Sequence, residues 1–157
     1  MKQEQKKTKT YYNRLENEAD EMCKWIVFVL QKGLDIWSGE MLAINFQPHH
    51  FIHRKNKSLR WDLSNIFAVN QTTHFLIHSG SEGIFGAELQ KKYPDRISYL
   101  LEKKNKVSRF RKNEIESIHY DLSKQFYEIF KMSYNDFKKF SLEEKYRIAV
   151  SVIRREV

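Results

Sequence analysis

The chain reads as an α+β fold: a small strand–loop–strand–helix centre embedded in a mainly helical domain. Three observations predict it. Short apolar and β-branched runs that read as strands fall in the middle of the chain, between about residues 41 and 70. Helical apolar periodicity fills the stretches before and after them. Five of the six histidines, His49, His50, His53, His74 and His78, crowd into thirty residues of that same middle, and the sixth, His119, is remote.

Taken in order, residues 1–10 (MKQEQKKTKT) lack an apolar core segment, so they are not a secretory signal and read as a disordered basic tail. From Tyr11 to Lys32, Leu15, Ala19, Met22, Cys23, Ile26, Val29 and Leu30 recur at helical spacing, and Gly33 supplies a stop. MLAINF (41–46) predicts a short strand that Pro48 ends, because proline lacks the ladder donor. FIH (51–53) suggests a second short strand, and RKNKSLR (54–60) a basic loop. NIFAVN (65–70) alternates and reads as a strand. QTTHFLIHSG predicts a helix of a few turns ending at Gly80. Two short amphipathic helices follow, separated by Pro94, then a long one over 112–132. Ser141 with Glu144 forms a capping box for a last helix through Arg155. The expected organisation is a tail (1–10), a domain over 11–132 with its centre at about 41–80, and a helical extension over 133–157.

The net charge of +8 favours a polyanionic partner, foremost nucleic acid. No apolar run approaches the eighteen residues or so that a membrane span needs, so no membrane partner is expected. Cys23 is the only cysteine, which excludes an intrachain disulfide and a cysteine zinc knuckle. Together these point to a cytoplasmic location. A homodimer is left open.

The histidines have a layout. Written from His49 it is HH-x14-N-x8-H-x3-H, with Asn65 as the asparagine and His74 and His78 closing it. His74 and His78 stand at i and i+4 on one face of the expected helix, where they present two imidazoles to one metal. His49, at a strand end, adds a third, and a position stays open for a phosphate. His50 faces away from His49, as neighbours in extended chain do, and is the candidate general base. This set resembles the HNH, or ββα-metal, nuclease motif, at the spacing of the bacterial colicin DNases. The resemblance implies one divalent ion (Zn, Ni, Co, Mn or Mg), with His49, His74 and His78 as ligands. It implies that Asn65 ties the loop carrying His50 to the second strand. His53 and His119 have no place in the motif.

A second resemblance spans roughly residues 15 to 130. HHFIHR, LRWD, NI, HSG and LQKKYPD, preceded by the helix EADEMCKWIVFVLQK, are similar to the corresponding segments of the NinG (Rap) phage recombination endonucleases. That family binds structural zinc with two cysteine pairs. One pair falls here on Asn70 and Thr73, and the other is missing. His74 stands where the family has Asn, and His49 where it often has Gly. The resemblance implies a metal-dependent endonuclease acting on branched recombination or repair DNA. The alternatives are a non-cleaving, structure-specific DNA-binding relative, a non-specific DNase, and an interaction protein with a regulatory metal site.

Around the site, Arg54, Lys55 and Lys57 suit phosphate contacts, and Arg60, beside Trp61, is the candidate catalytic arginine. The basic run over 102–112, with Lys103, Lys104, Lys106, Arg109, Arg111 and Lys112, would extend the contact along DNA. Phe110 within it is either a wedge or a core residue.

Overall fold

The computed structural model describes residues 2–106, 110–111 and 113–155, with residues 2–8 by their backbone alone. It is mixed but mostly helical. Helix α1 (Lys2–Leu30) precedes strands β1 (Gln47–His50) and β2 (Ile66–Val69). Then come α2 (Gln71–Leu76), α3 (Glu82–Lys92), α4 (Pro94–Asn105), α5 (Glu114–Phe130), α6 (Tyr134–Phe137) and α7 (Leu142–Arg155). Among the described residues no helix is long and apolar enough to cross a membrane.

α1 starts at Lys2, within the stretch that the sequence presents as a disordered tail. Its second half is more deeply buried than one apolar stripe requires: Met22, Cys23 and Trp25 through Val29 all lie inside. The reason is its central position, with β2 on one side and α5 and α7 on others. Trp25 meets Phe28, Phe46 and Phe137 edge-on, and Phe28 stacks on Phe46 with centroids 4.7 Å apart. Truncating one such buried aromatic typically costs about 3–5 kcal/mol. Tyr134 and Phe137 of α6 and Ala149 and Val152 of α7 belong to this same core. Phe110 packs on Trp61 against it.

The sheet differs from expectation, and the difference is instructive. Residues 41–46 are not a strand. Met41 makes one isolated bridge to Leu34, while Leu42 and Phe46 plug the core from a loop. The first strand is instead QPHH, with Pro48 inside it. The antiparallel register pairs Pro48 with Ala68 and His49 with Phe67. Ala68 gives its N–H to the Gln31 side chain and accepts from Gln31 and from Ile36 N–H, so it turns its polar groups away from β1. Pro48 therefore faces a residue that needs no donor from it, and its missing N–H costs the ladder nothing. FIH is a bend, not a strand.

β2 is buried on both faces rather than alternating. Ile66 and Ala68 enter the core around α1. Phe67 and Val69 enter a second core with Ile77, Phe85, Leu89, Ile97 and Leu100 from the segments after the sheet. The two strands are thus the partition between two cores. Because alternate residues point oppositely, the partition sends His49 to one side and His50 to the other.

Candidate metal centre

Three devices aim the helix after β2. Asn70 caps α2, its side chain accepting from Thr73 N–H at 2.7 Å. Buried Asp35 accepts Asn70 N–H at 2.6 Å and fixes the cap to the loop before β1. Asn70 and Thr73 are the positions where the NinG-like pattern has cysteines, and a hydrogen bond joins them here. Beyond α2 the chain makes a wide π-type turn (Ile77–Ser81), and Gly80, at φ 121°, kinks it into α3. Only glycine holds that φ without strain.

This geometry brings His74 and His78 over β1. Each of His49, His74 and His78 offers a ring nitrogen within 4.8 Å of the others', and the three can hold a metal ion. The ring centroids of His74 and His78 are 4.5 Å apart, and His49 lies 5.8 and 5.5 Å from them. His49 is 6% exposed and rests edge-on against Phe85. Burial, and then the neighbouring imidazoles, lower its pKa to about 4. Burial and His78 also lower that of His74. Both rings are therefore neutral near pH 7, the form with a free ligand nitrogen. The donor set fits a borderline divalent ion, since all three donors are imidazole nitrogens. Cys23 borders the same cleft, but burial pushes its thiol pKa far up and its Sγ faces Trp61 O. It stays a thiol rather than a ligand.

His50 lies on the other side of β1, within the same cleft of about 350 Å³. Its Nε2 is 2.9 Å from Arg60 O. A carbonyl only accepts, so Nε2 carries the proton and Nδ1 keeps its lone pair. Burial lowers the His50 pKa despite that hydrogen bond, which favours the unprotonated base.

Asn65 is fully buried. Its Oδ1 accepts from Ile52 N–H at 2.6 Å, and its Nδ2 donates to Ile52 O at 2.8 Å and to Leu59 O at 3.0 Å. One side chain thus closes the whole 52–59 loop, and with it sets the distance between His50 and Arg60.

Arg60 is not placed as a phosphate-facing arginine. It is 7% exposed and does not border the cleft. Its guanidinium lies 4.8 Å from the Trp61 ring centroid and donates to Glu16 at 2.9 Å and to Asp20 through Nε at 3.0 Å, with a second bond from Nη2. Sequence reasoning missed these α1 carboxylates; their i, i+4 spacing toward a basic loop was the available clue. Arg54 does border the cleft, 56% exposed, with Nη2 3.0 Å from Asp20. His53 is at the same rim, with Nδ1 accepting Lys55 N–H.

The remaining cations are dispersed. Lys55 is exposed, Lys57 pairs with Glu16, Lys103 with Asp62, and Lys106 with Glu102. Lys104 lines a small neighbouring pocket that His49 also borders, and Arg111 is exposed. Arg109 and Lys112 lie outside the described residues. His119 is remote from the cleft, paired with Glu18 at 2.8 Å.

Compared with known proteins, the chain matches no family model, no curated protein and no solved structure.

Proposed function

We propose that this protein is a metal-dependent endonuclease of the HNH, ββα-metal type, hydrolysing DNA phosphodiester bonds, with branched recombination or repair intermediates as its substrates. One observation carries the reading: three histidines converge from β1 and the helix after β2, beside a fourth whose proton is pinned to Nε2. Ligand cluster and oriented base are what phosphodiester hydrolysis requires in one place.

His49, His74 and His78 would hold the ion. When bound, it supplies positive charge for the developing charge on the leaving oxygen. Zinc, nickel, cobalt and manganese suit three imidazoles, whereas magnesium prefers oxygen. His50 takes the proton of the attacking water on Nδ1, while Arg60 O keeps the ring in the competent tautomer and disperses the imidazolium charge. Asn65 keeps that carbonyl in place. Arg54 and Lys55 meet phosphates at the rim, supported by the net charge of +8.

The test is nicking of a supercoiled plasmid with zinc, nickel, cobalt, manganese or magnesium, and with EDTA. Metal-dependent nicking that EDTA abolishes supports the reading. DNA binding without nicking favours the non-cleaving relative. Neither binding nor nicking favours an interaction protein with a metal site.

A further inference from the structure

Asp20 lies on α1, far in sequence from the histidines, yet it borders their cleft. Its carboxylate gathers the loop from three directions. Oδ1 accepts Arg60 Nε at 3.0 Å and Trp61 Nε1 at 2.8 Å, and Oδ2 accepts Arg60 Nη2 and Arg54 Nη2, the latter at 3.0 Å. Arg60 is also the residue whose backbone oxygen binds His50. We infer that Asp20 is the positioning residue of this site: it fixes the Arg60–Trp61 backbone that sets the His50 tautomer, and it holds Arg54 at the rim as the arginine that meets the scissile phosphate.

The two arginines differ in what their departure would strand. If Arg60 left for a phosphate, the partly buried Glu16 and Asp20 would lose their main counter-charge, which is costly. If Arg54 leaves, Asp20 keeps the Arg60 and Trp61 donors. Arg54 is also more than half exposed, against 9% for the Arg60 side chain. Exchange of Arg54 between Asp20 and a phosphate is therefore the cheap movement, and Arg60 is the fixed post. Trp61 is pinned from a further side, its carbonyl accepting the Cys23 thiol at 3.8 Å.

The Arg54 half of this inference rests on the nuclease reading; the His50 half does not. The experiment separates them. Nitrogen NMR of zinc-loaded protein labelled at histidine reports the His50 tautomer in the wild type and in Asp20→Asn, alongside plasmid nicking and zinc affinity. The expected result is a pure Nε2–H tautomer in the wild type and a mixture in Asp20→Asn, with zinc affinity unchanged. Nicking kcat should fall at least about tenfold, within the range of a misplaced base, and KM should not rise, since a negative charge beside DNA is removed. An unchanged tautomer in Asp20→Asn overturns the inference, whether or not nicking falls. Should that variant fail to fold, Arg60→Met removes the main Asp20 partner while keeping the carbonyl, and the same tautomer shift is expected. Its absence there is equally fatal. A wild type that never nicks refutes the nuclease reading, and with it the Arg54 role, while the tautomer comparison still decides His50.

Discussion

The Nε2 atom of His50 lies 2.9 Å from the backbone oxygen of Arg60, ten residues further along the chain. That contact decides which nitrogen of His50 faces the cleft with a lone pair. His50→Ala should therefore abolish nicking, by at least about 10²-fold, while zinc affinity and DNA binding stay near the wild type. Plasmid nicking with calorimetric zinc titration checks it. Near-normal nicking would remove His50 from the base role.

The three clustered histidines make a separable prediction. His49→Ala, His74→Ala and His78→Ala should each weaken zinc or nickel binding by more than about tenfold, a loss that even outer-sphere partners can bring. His53→Ala and His119→Ala should not, because neither belongs to the cluster. Equal affinities across the five variants would dissolve the ligand assignment.

Asn65→Ala should cost stability as well as activity. It strands Ile52 N–H and Ile52 O in the interior, while Leu59 O keeps the Asp62 N–H. At about 1 kcal/mol or more for each of the two unsatisfied groups, the total loss is on the order of 2 kcal/mol. Urea unfolding measures it. A variant as stable as the wild type would mean that the loop closes without Asn65.

The spacing HH-x14-N-x8-H-x3-H was enough to pick out the three histidines that the structure brings together, because i, i+4 on a helix and adjacency on a strand are local rules. The capping box was legible for the same reason: Ser141 N–H donates to Glu144, and Glu144 N–H to Ser141 Oγ. What stayed hidden depends on contacts distant in sequence. The tolerance of Pro48 within a strand depends on Gln31, just past the end of α1, and the burial of both faces of β2 on two separate cores. Arg60 looked free because its partners, Glu16 and Asp20, are forty or more residues away.

Acid should loosen the attachment of the last helices to α1. Burial alone would raise the pKa of Glu18, but Lys138 and His119 overcome it and leave it lowered. Burial would likewise raise that of Glu21, and Lys145 and Tyr134 reverse it. Folded values below the unfolded value mean stability that is complete above the ordinary 4.5 and lost as pH falls through the folded values. Wild-type Tm should therefore drop below about pH 4.5 more steeply than that of the Glu18→Gln/Glu21→Gln double variant. Parallel Tm curves from pH 6 to pH 3 would refute the linkage.

Branched DNA should be cut faster than plain duplex, with little sequence preference. Arg54 borders the cleft, and the exposed Lys55 follows it on the same loop. A loop that offers guanidinium and ammonium groups reaches phosphates more readily than base edges, which favours position over sequence. Lys104 borders the adjacent pocket, which His49 also lines, so a second element brings positive charge toward the histidines. A junction presents two arms converging on one point, and both elements can then engage phosphates at once. A plain duplex engages fewer, and loses part of an electrostatic gain that scales with the phosphates neutralised and falls steeply with salt. The measurement is digestion of a four-way junction, a three-strand D-loop, a linear duplex and single strands at one ionic strength, repeated at a higher one. The junction and D-loop should lead, and raising salt should slow cleavage of all substrates. Equal rates on all four would mark a general DNase, and cleavage at one fixed duplex sequence would mark a site-specific nuclease.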